Sequence, residues 1–281
     1  MTTIADIQKE YFGKIDRLDL DLIVAHVLKK NREFVLTHPE TRLPKNQELK
    51  TKNLLARRMK HEPLAHILGR KEFYGLDFKV TPDTLIPRPE TELLVEFAIQ
   101  ETNIKKQTTN IIDIGTGSGN IIISLAKNLS GRNNFIAIDI SKKALRVARQ
   151  NAKANQVSER IKFIHGDLLD KIKNIDNSII VANLPYLSQT IYSATLPTVK
   201  KYEPRSALYS PKDGLDHYEK LLKQINGLKT KNQELKTSVL LEISPEQKSK
   251  LPKIIKKHLP QAKIEFVKDL ANKWRLCKIT T

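Results

Sequence analysis

From Asn110 onward, short apolar runs alternate with amphipathic stretches, and this alternation constrains the fold more than any other feature. The runs predict strands at 110–114, 134–139, 161–165, 178–182, 237–243, 263–268 and 274–280. Helical patterns fall near 119–129, 141–155, 214–228 and 245–258. Such alternation specifies an α/β fold, a mainly parallel sheet with helices on both faces. The last two of the seven runs are joined by a connection too short for a helical crossover, so they should pair antiparallel. In open sheets of this type ligands bind beyond the carboxyl ends of the strands.

The chain ahead of that sheet reads differently. Leu20, Ile23, Val24, Val27 and Leu28 form one apolar helical stripe, with Asp19 placed to cap it. Residues 31–36 and 47–59 read as further helices, set apart by His38-Pro39 and Leu43-Pro44. No strand pattern interrupts them, so residues 1–70 are expected to form a small all-α helical bundle. His61-Glu62-Pro63-Leu64-Ala65-His66 has its second histidine one place too late for a zinc-protease helix, and Pro63 would break that helix. Phe73, Tyr74, Leu76, Phe78 and Val80 about Gly75 suggest a hairpin. Pro82, Pro87 and Pro89 then stiffen an extended stretch. Residues 71–90 therefore read as a hairpin and linker, and residues 91–281, opening on a helix from Thr91 to about Glu101, as the second domain.

Four strand ends carry polar groups that converge in such a sheet. The first strand runs into Asp113-Ile114-Gly115-Thr116-Gly117-Ser118-Gly119, a glycine turn that lets a ligand approach the backbone ahead of a helix N-terminus. The second ends in Asp139, suited to both hydroxyls of a ribose, and the third in Gly166-Asp167-Leu168, where an adenine could sit. A nicotinamide fingerprint would require glycine where Asn120 stands. The Gly-x-Gly-x-Gly spacing is instead typical of S-adenosylmethionine enzymes. The fourth run, Ser178-Ile179-Ile180-Val181-Ala182, leads into Asn183-Leu184-Pro185-Tyr186. That loop offers a side-chain amide, a backbone carbonyl and an aromatic ring, a set suited to a planar –NH2 group.

Composition narrows the partners. The 281 residues carry a formal charge of +18 and a pI near 9.8, which favours an acidic partner, either nucleic acid or an acidic protein. Lysine pairs such as Lys142-Lys143, Lys200-Lys201 and Lys256-Lys257 are spread along the chain, so a compositional origin of the charge stays open. Cys277 is the sole cysteine, which rules out an intrachain disulfide and a cysteine-based zinc site, and no metal site is expected. The charged first 17 residues do not read as a signal peptide, and no apolar run approaches the roughly 18 residues of a membrane span. A monomer in the reducing cytoplasm is the expectation.

The chain resembles the HemK/PrmC family of S-adenosylmethionine-dependent methyltransferases, which modify the glutamine of the Gly-Gly-Gln motif in class I peptide release factors. Four blocks carry the resemblance: residues 21–40; residues 62–69 continuing through Phe73-Tyr74-Gly75 to Ile86-Pro87-Arg88-Pro89-Glu90-Thr91-Glu92; residues 113–119; and the 183–186 loop with Glu203-Pro204 and Asp213-Gly214-Leu215. The resemblance implies that Gly115, Thr116, Gly117, Ser118, Gly119 and Asp139 bind S-adenosylmethionine, with Asp167 and Leu168 lining the adenine pocket. It implies that Asn183, Leu184, Pro185 and Tyr186 hold the substrate glutamine, with Asn183 also facing the cofactor. It further implies catalytic roles for Asn183, Leu184 and Tyr186, and recognition of the release factor by the helical bundle. Two positions depart from the family pattern: Leu184 stands for the usual first proline of the loop, and Asn272 for a usual glycine. The roles of Arg88, Glu90 and Glu92 stay open in the sequence. So do two other readings, an adenine-N6 methyltransferase of RNA or DNA and a non-catalytic adaptor that binds release factors or RNA.

Overall fold

The protein, a computed structural model, is described over residues 2–105, 108–131, 133–228 and 236–281. The chain forms two compact units, one of Met1–Arg70 with Pro197–Tyr202 and one of Lys71–Leu196 with Glu203–Thr281.

The first unit is helical: α1 (Ile4–Glu10), α2 (Arg17–Leu28), α3 (Arg32–Thr37), α4 (Lys45–Met59) and α5 (Leu64–Leu68). Ile7, Leu20, Ile23, Val24, Val27, Val35 and Leu55 are fully or almost fully buried in its core. Two sequence expectations are corrected here. The cap of α2 is Asp16, not Asp19, because the Asp16 carboxylate accepts the Leu18 and Asp19 N–H groups and starts the helix earlier. Asp19 instead pairs with Arg58 at 2.5 Å. Helix α1 has no counterpart in the sequence reading, since seven residues are too few to show a period; it is held by a Thr3–Asp6 capping box.

The second unit opens with a hairpin of β1 (Arg70–Phe73) and β2 (Leu76–Lys79), turned at Tyr74 and Gly75, whose φ angles are +51° and +70°. The proline-rich stretch follows, ending in a short 3-10 turn (Pro89–Thr91) and α6 (Glu92–Lys105). Glu92 accepts the Tyr74 N–H at 2.9 Å and so ties the helix start to the hairpin turn. The sheet then builds through β3 (Asn110–Ile114), α7 (Asn120–Asn128), β4 (Asn134–Asp139), α8 (Lys142–Ala154), β5 (Ile161–His165) and β6 (Ser178–Ala182). Three short helices follow, α9 (Gln189–Ala194), α10 (Pro197–Tyr202, grouped with the first unit) and α11 (Pro211–Gly214). They went unpredicted because each is under two turns. The chain closes with α12 (Asp216–Gly227), β7 (Ser238–Glu242), α13 (Leu251–His258), β8 (Lys263–Lys268) and β9 (Trp274–Thr280). The helix expected over 245–258 is broken into a 3-10 turn, Pro245–Ser249, and α13, where Pro252 lacks the N–H to continue an earlier helix.

The seven strands lie in the order β5-β4-β3-β6-β7-β9-β8. All pairs are parallel except those of β9, which runs antiparallel to both β7 and β8. This is the expected sheet, with the last two strands antiparallel. Consecutive residues of β3, Ile111 and Ile112, enter two different apolar cores, as do Ile179 and Ile180 of β6. Side chains alternate across a strand, so both faces of the sheet are covered.

Asn151 of α8 fastens the hairpin and the glycine turn to this frame. Its amide donates to Lys79 O at 3.0 Å and Ser118 O at 2.8 Å, and its Oδ1 accepts the Lys79 N–H at 2.8 Å. The side chain is buried, so each bond lost would strand a backbone group out of reach of water. Asn151→Ala is expected to lower the unfolding free energy by roughly 2–4 kcal/mol, read from urea denaturation; an unchanged midpoint would show that the hairpin holds without it.

Candidate active site

The chain moves outward from β3 through β4 to β5, then returns to place β6 on the other side of β3. Strand order therefore reverses between β3 and its two neighbours, the position where open α/β sheets form a ligand crevice. The register sets Ile114 beside Ala182 and Ala182 beside Leu241. Residue 115 and Asn183 accordingly leave the sheet side by side, with Glu242 next in line. A cleft at this edge is lined by Gly115, Thr116, Gly117, Ser118, Asp139, Asp167, Leu168, Asn183, Leu184 and Pro185. The expected site residues are thus brought to one crevice, with Gly119 and Tyr186 just behind its lining.

Gly119 is held back by packing. Its φ is +82°, and a Cβ there would lie 2.8 Å from Ile123 Cδ1 and 3.2 Å from Ala148 Cβ. Glycine lets α7 approach α8 closely at the turn. The N-cap of α7 carries no side-chain bond, so the Asn120 and Ile121 N–H groups are left uncapped, while that of Ile122 is directed to the Asp113 carboxyl.

Asp139 anchors the turn. Its two oxygens accept the Gly117 and Ser141 N–H groups, each at 2.8 Å. Burial raises its pKa, while these backbone donors pull the other way. A carboxylate oxygen has more than one acceptor site, so both retain capacity for a ligand hydroxyl. Beneath it, Asp113 is fully buried, and Thr116 donates to its Oδ2 at 2.6 Å. Burial pushes the Asp113 carboxyl up to about 7, opposed by Thr116 and reinforced by Asp139.

On the third strand end, the Asp167 carboxylate forms a close ion pair with Lys220 of α12. Gln224 clamps the same turn, donating to Asp167 O at 3.2 Å and accepting the Leu169 N–H at 2.8 Å. Leu168 sits in the left-handed region at φ +57°, a strained conformation for leucine, and is buried. It offers an apolar wall between this clamp and the cleft. The donors of the glycine turn, the Asp139 acceptor and this wall fit S-adenosylmethionine.

The loop after β6 is fixed by groups that the motif does not name. Asn183 Nδ2 donates to the Thr91 hydroxyl at 3.1 Å, leaving Oδ1 as the free acceptor of that amide. Leu184 is buried in the core, and its Cδ2 would lie 3.1 Å from a Cβ at position 115. Packing therefore restrains this leucine where the usual proline would act through its ring. Tyr186 packs against the core, with its hydroxyl 3.5 Å from Glu242 Oε1. Gly214 (φ +80°) lies directly under the same loop, where a Cβ would fall 2.0 Å from Tyr186 O. Gln247 holds Gly214 in turn, donating to its carbonyl at 2.7 Å.

The signature block also acquires a role. Glu203 is buried, pairs with Arg88 at 2.5 Å and accepts the Ile86 N–H at 3.2 Å, which pins the proline-rich stretch along the cleft. Thr91, Glu203, Gly214 and Glu242 were not expected as site residues. The first three lay in blocks noted only for their resemblance. A carboxylate closing the apolar run Val239-Leu240-Leu241 was the signal for the fourth. Asn272, at the position of a usual glycine, adopts φ +61°, a left-handed backbone that asparagine tolerates better than most residues.

Two consequences can be measured. Asp113 binds its proton more tightly in the folded protein than at its ordinary value of 3.8. Its contribution to stability is therefore complete below that value and is lost as pH rises through about 7. Urea midpoints are expected to fall between pH 5 and pH 8, and Asp113→Asn to flatten part of that slope; an unaltered slope would remove Asp113 as a cause. Gly214→Ala is expected to lower turnover by about tenfold or more, since displacing a reacting geometry by an ångström can cost that much, with cofactor affinity retained. Wild-type turnover would show that the loop yields to the added methyl.

Comparison with known proteins agrees with this arrangement. Residues 11–69 match the PrmC N-terminal domain, and residues 105–261 match a methyltransferase domain. The release factor glutamine methyltransferase of Dictyoglomus turgidum is 38% identical over 264 residues, covering 93% of this chain and 90% of that protein. That of Clostridium botulinum is 34% identical over 264 residues, covering 93% and 91%. The solved N-terminal domain of human METTL16 in complex with SAH shares the fold at 15% identity, with a TM-score of 0.53 over 92% of this chain and 93% of that one. With identity of this level across nearly its whole length, and with both domain matches in order, the chain belongs to the release factor glutamine methyltransferase family.

Proposed function

We propose that this protein transfers a methyl group from S-adenosylmethionine to the side-chain amide nitrogen of the glutamine in the Gly-Gly-Gln motif of class I release factors. The observation that carries the reading is the orientation of Asn183. Its Nδ2 is committed to Thr91, so an acceptor and not a donor is left for a substrate –NH2. The relatives named release factor glutamine methyltransferase support the choice of substrate.

Bound S-adenosylmethionine supplies a methyl group activated by its sulfonium. Residues 115–119 and Asp139 hold the cofactor, and Asp167 with Leu168 borders its adenine. Asn183 Oδ1 and the Leu184 carbonyl accept the two N–H bonds of the glutamine amide. The amide nitrogen is a poor nucleophile because its lone pair is delocalised into the carbonyl. Two fixed acceptors raise electron density there and stabilise the positive charge that develops during transfer. They also aim the nitrogen, and such orientation supplies several kcal/mol of the barrier lowering. Pro185 biases residue 184 toward the extended backbone that presents its carbonyl. Tyr186 backs the loop and keeps water from behind it. The extra proton leaves after transfer, when the nitrogen is strongly acidic, so no strong base is required.

The helical unit of residues 1–70 supplies release-factor contacts, and the linker and methyltransferase domain follow from residue 71. The protein works as a monomer in the cytoplasm. Among the described residues no helix is long and apolar enough to cross a membrane. The +18 charge favours encounter with an acidic release factor, so kcat/KM is expected to fall as salt rises. The same charge supports a second reading, methylation of an adenine amine in RNA.

The deciding experiment incubates the protein and methyl-labelled S-adenosylmethionine with a release factor, its Gln→Ala variant, and ribosomal RNA. Label on the wild-type factor alone is expected; label on RNA would overturn the reading in favour of the second. Asn183→Ala is expected to lower turnover by roughly 10²-fold or more, by comparison with other losses of a transition-state dipole. Near-normal turnover would remove Asn183 from its assigned role.

A further inference from the structure

Glu242 is a buried carboxyl at the carboxyl end of β7, one strand from Asn183, and neither the glycine turn nor the loop motif accounts for it. Several polar groups lie about this residue. The Tyr186 hydroxyl lies 3.5 Å from Oε1, and the Tyr218 hydroxyl of α12 donates to the Glu242 backbone carbonyl. The Thr91 hydroxyl of the 3-10 turn favours the charged carboxyl, and the neighbouring charge of Glu90 disfavours it. The charge of Arg275 on β9 favours the ionised carboxyl but is itself engaged by Asp269 at 3.1 Å. Oε2 has no hydrogen-bond partner of its own.

A hydroxyl has one proton and two acceptor sites. The Thr91 oxygen accepts from Asn183 Nδ2, and the Thr91 proton then needs an acceptor. Both the Thr91 and Tyr186 hydroxyls favour the ionised form of Glu242, the influence of donors on a carboxylate. With Glu242 as the acceptor of the Thr91 proton, bond polarity would run in one direction, from the Asn183 amide to the Thr91 hydroxyl to the Glu242 carboxylate. A group at 242 that can also donate, such as a protonated carboxyl or a carboxamide, can bond the Thr91 oxygen and free the Thr91 proton to turn toward Asn183. The Asn183 amide would then rotate and present its own N–H groups to an incoming –NH2, donor against donor.

We infer that Glu242 is a positioning residue for methyl transfer: through Thr91 it fixes the Asn183 amide with Oδ1 toward the acceptor nitrogen, and it anchors Tyr186 behind the same loop. The inference rests on the glutamine methyltransferase reading and names what sets its acceptor geometry. Burial pushes the Glu242 carboxyl up to about 7, with Glu90 raising it and Arg275 and the two hydroxyls lowering it. Only the ionised carboxyl is acceptor-only, and the protonated one can donate to the Thr91 oxygen and reverse the relay, so turnover falls as pH drops through that range.

The test measures kcat, KM for the release factor and cofactor affinity from pH 5.5 to 8.5 in the wild type, Glu242→Gln, Thr91→Val, Thr91→Ser and the Glu242→Gln/Thr91→Val double variant. Glu242→Gln is expected to lower kcat by about tenfold, as outer partners of an active group typically do, and to abolish the acid limb. Cofactor isotherms should be unchanged, showing an intact fold. Thr91→Val should match it, the double variant should be no worse than either single change, and Thr91→Ser should recover turnover relative to Thr91→Val. A Glu242→Gln enzyme with wild-type kcat and acid limb would overturn the inference while leaving the parent reading intact. Strictly additive losses would do the same. A wild type that labels no release factor at any pH would overturn the parent reading and this inference with it.

Discussion

The parallel pairing of β3 with β6 is the constraint on which the site depends. It sets Ile114 beside Ala182, so the glycine turn and the Asn183 loop leave the sheet as neighbours although some seventy residues separate them along the chain. The reversal of strand order at β3 opens the crevice between the helices that cross to either side. Strands buried on both faces hold this register firmly, because a slip of one residue would exchange the two apolar cores. Both walls of the crevice are thereby positioned by one element of architecture.

Buried polar groups complete what the sheet begins. Asn151 ties the glycine turn to the hairpin. Glu203 ties the proline-rich stretch through Arg88 and the Ile86 N–H. Thr91 joins that stretch to the acceptor loop, and Gln247 sets Gly214 beneath Tyr186. Each is a short-range contact between segments far apart in sequence. The signature 86–92 is thus more than a spacer, since three of its residues hold the site: Arg88 through Glu203, Thr91 through Asn183, and Glu92 through the Tyr74 N–H.

Much of the sheet was legible because its strands are short apolar runs bounded by turn residues; β3 to β6 fall at the expected residues. What failed was local. Asp16 and Asp19 are both reasonable caps for α2, and only the bonds to Leu18 and Asp19 decide between them. Helices α9, α10 and α11 are too short for any period to emerge. The residues that the sequence singled out on the glycine turn and the strand-end loops meet in one crevice, because each lies at the carboxyl end of its strand. Thr91 and Glu242 could not be singled out in that way, because their meaning lies in which distant side chain each one meets. The departure at Leu184 also needed the structure: its side chain fills the space over Gly115, something no local pattern discloses.

The central claim is that Asn183 Oδ1 and the Leu184 carbonyl together hold the acceptor amide. The most direct measurement is a crystal structure of the protein with a demethylated cofactor product and a peptide containing Gly-Gly-Gln. The account predicts the glutamine nitrogen within hydrogen-bond reach, roughly 2.7–3.2 Å, of both oxygens, with Asn183 still donating to Thr91. A glutamine bound through its carbonyl oxygen, or an Asn183 amide rotated to offer Nδ2 to the peptide, would contradict it.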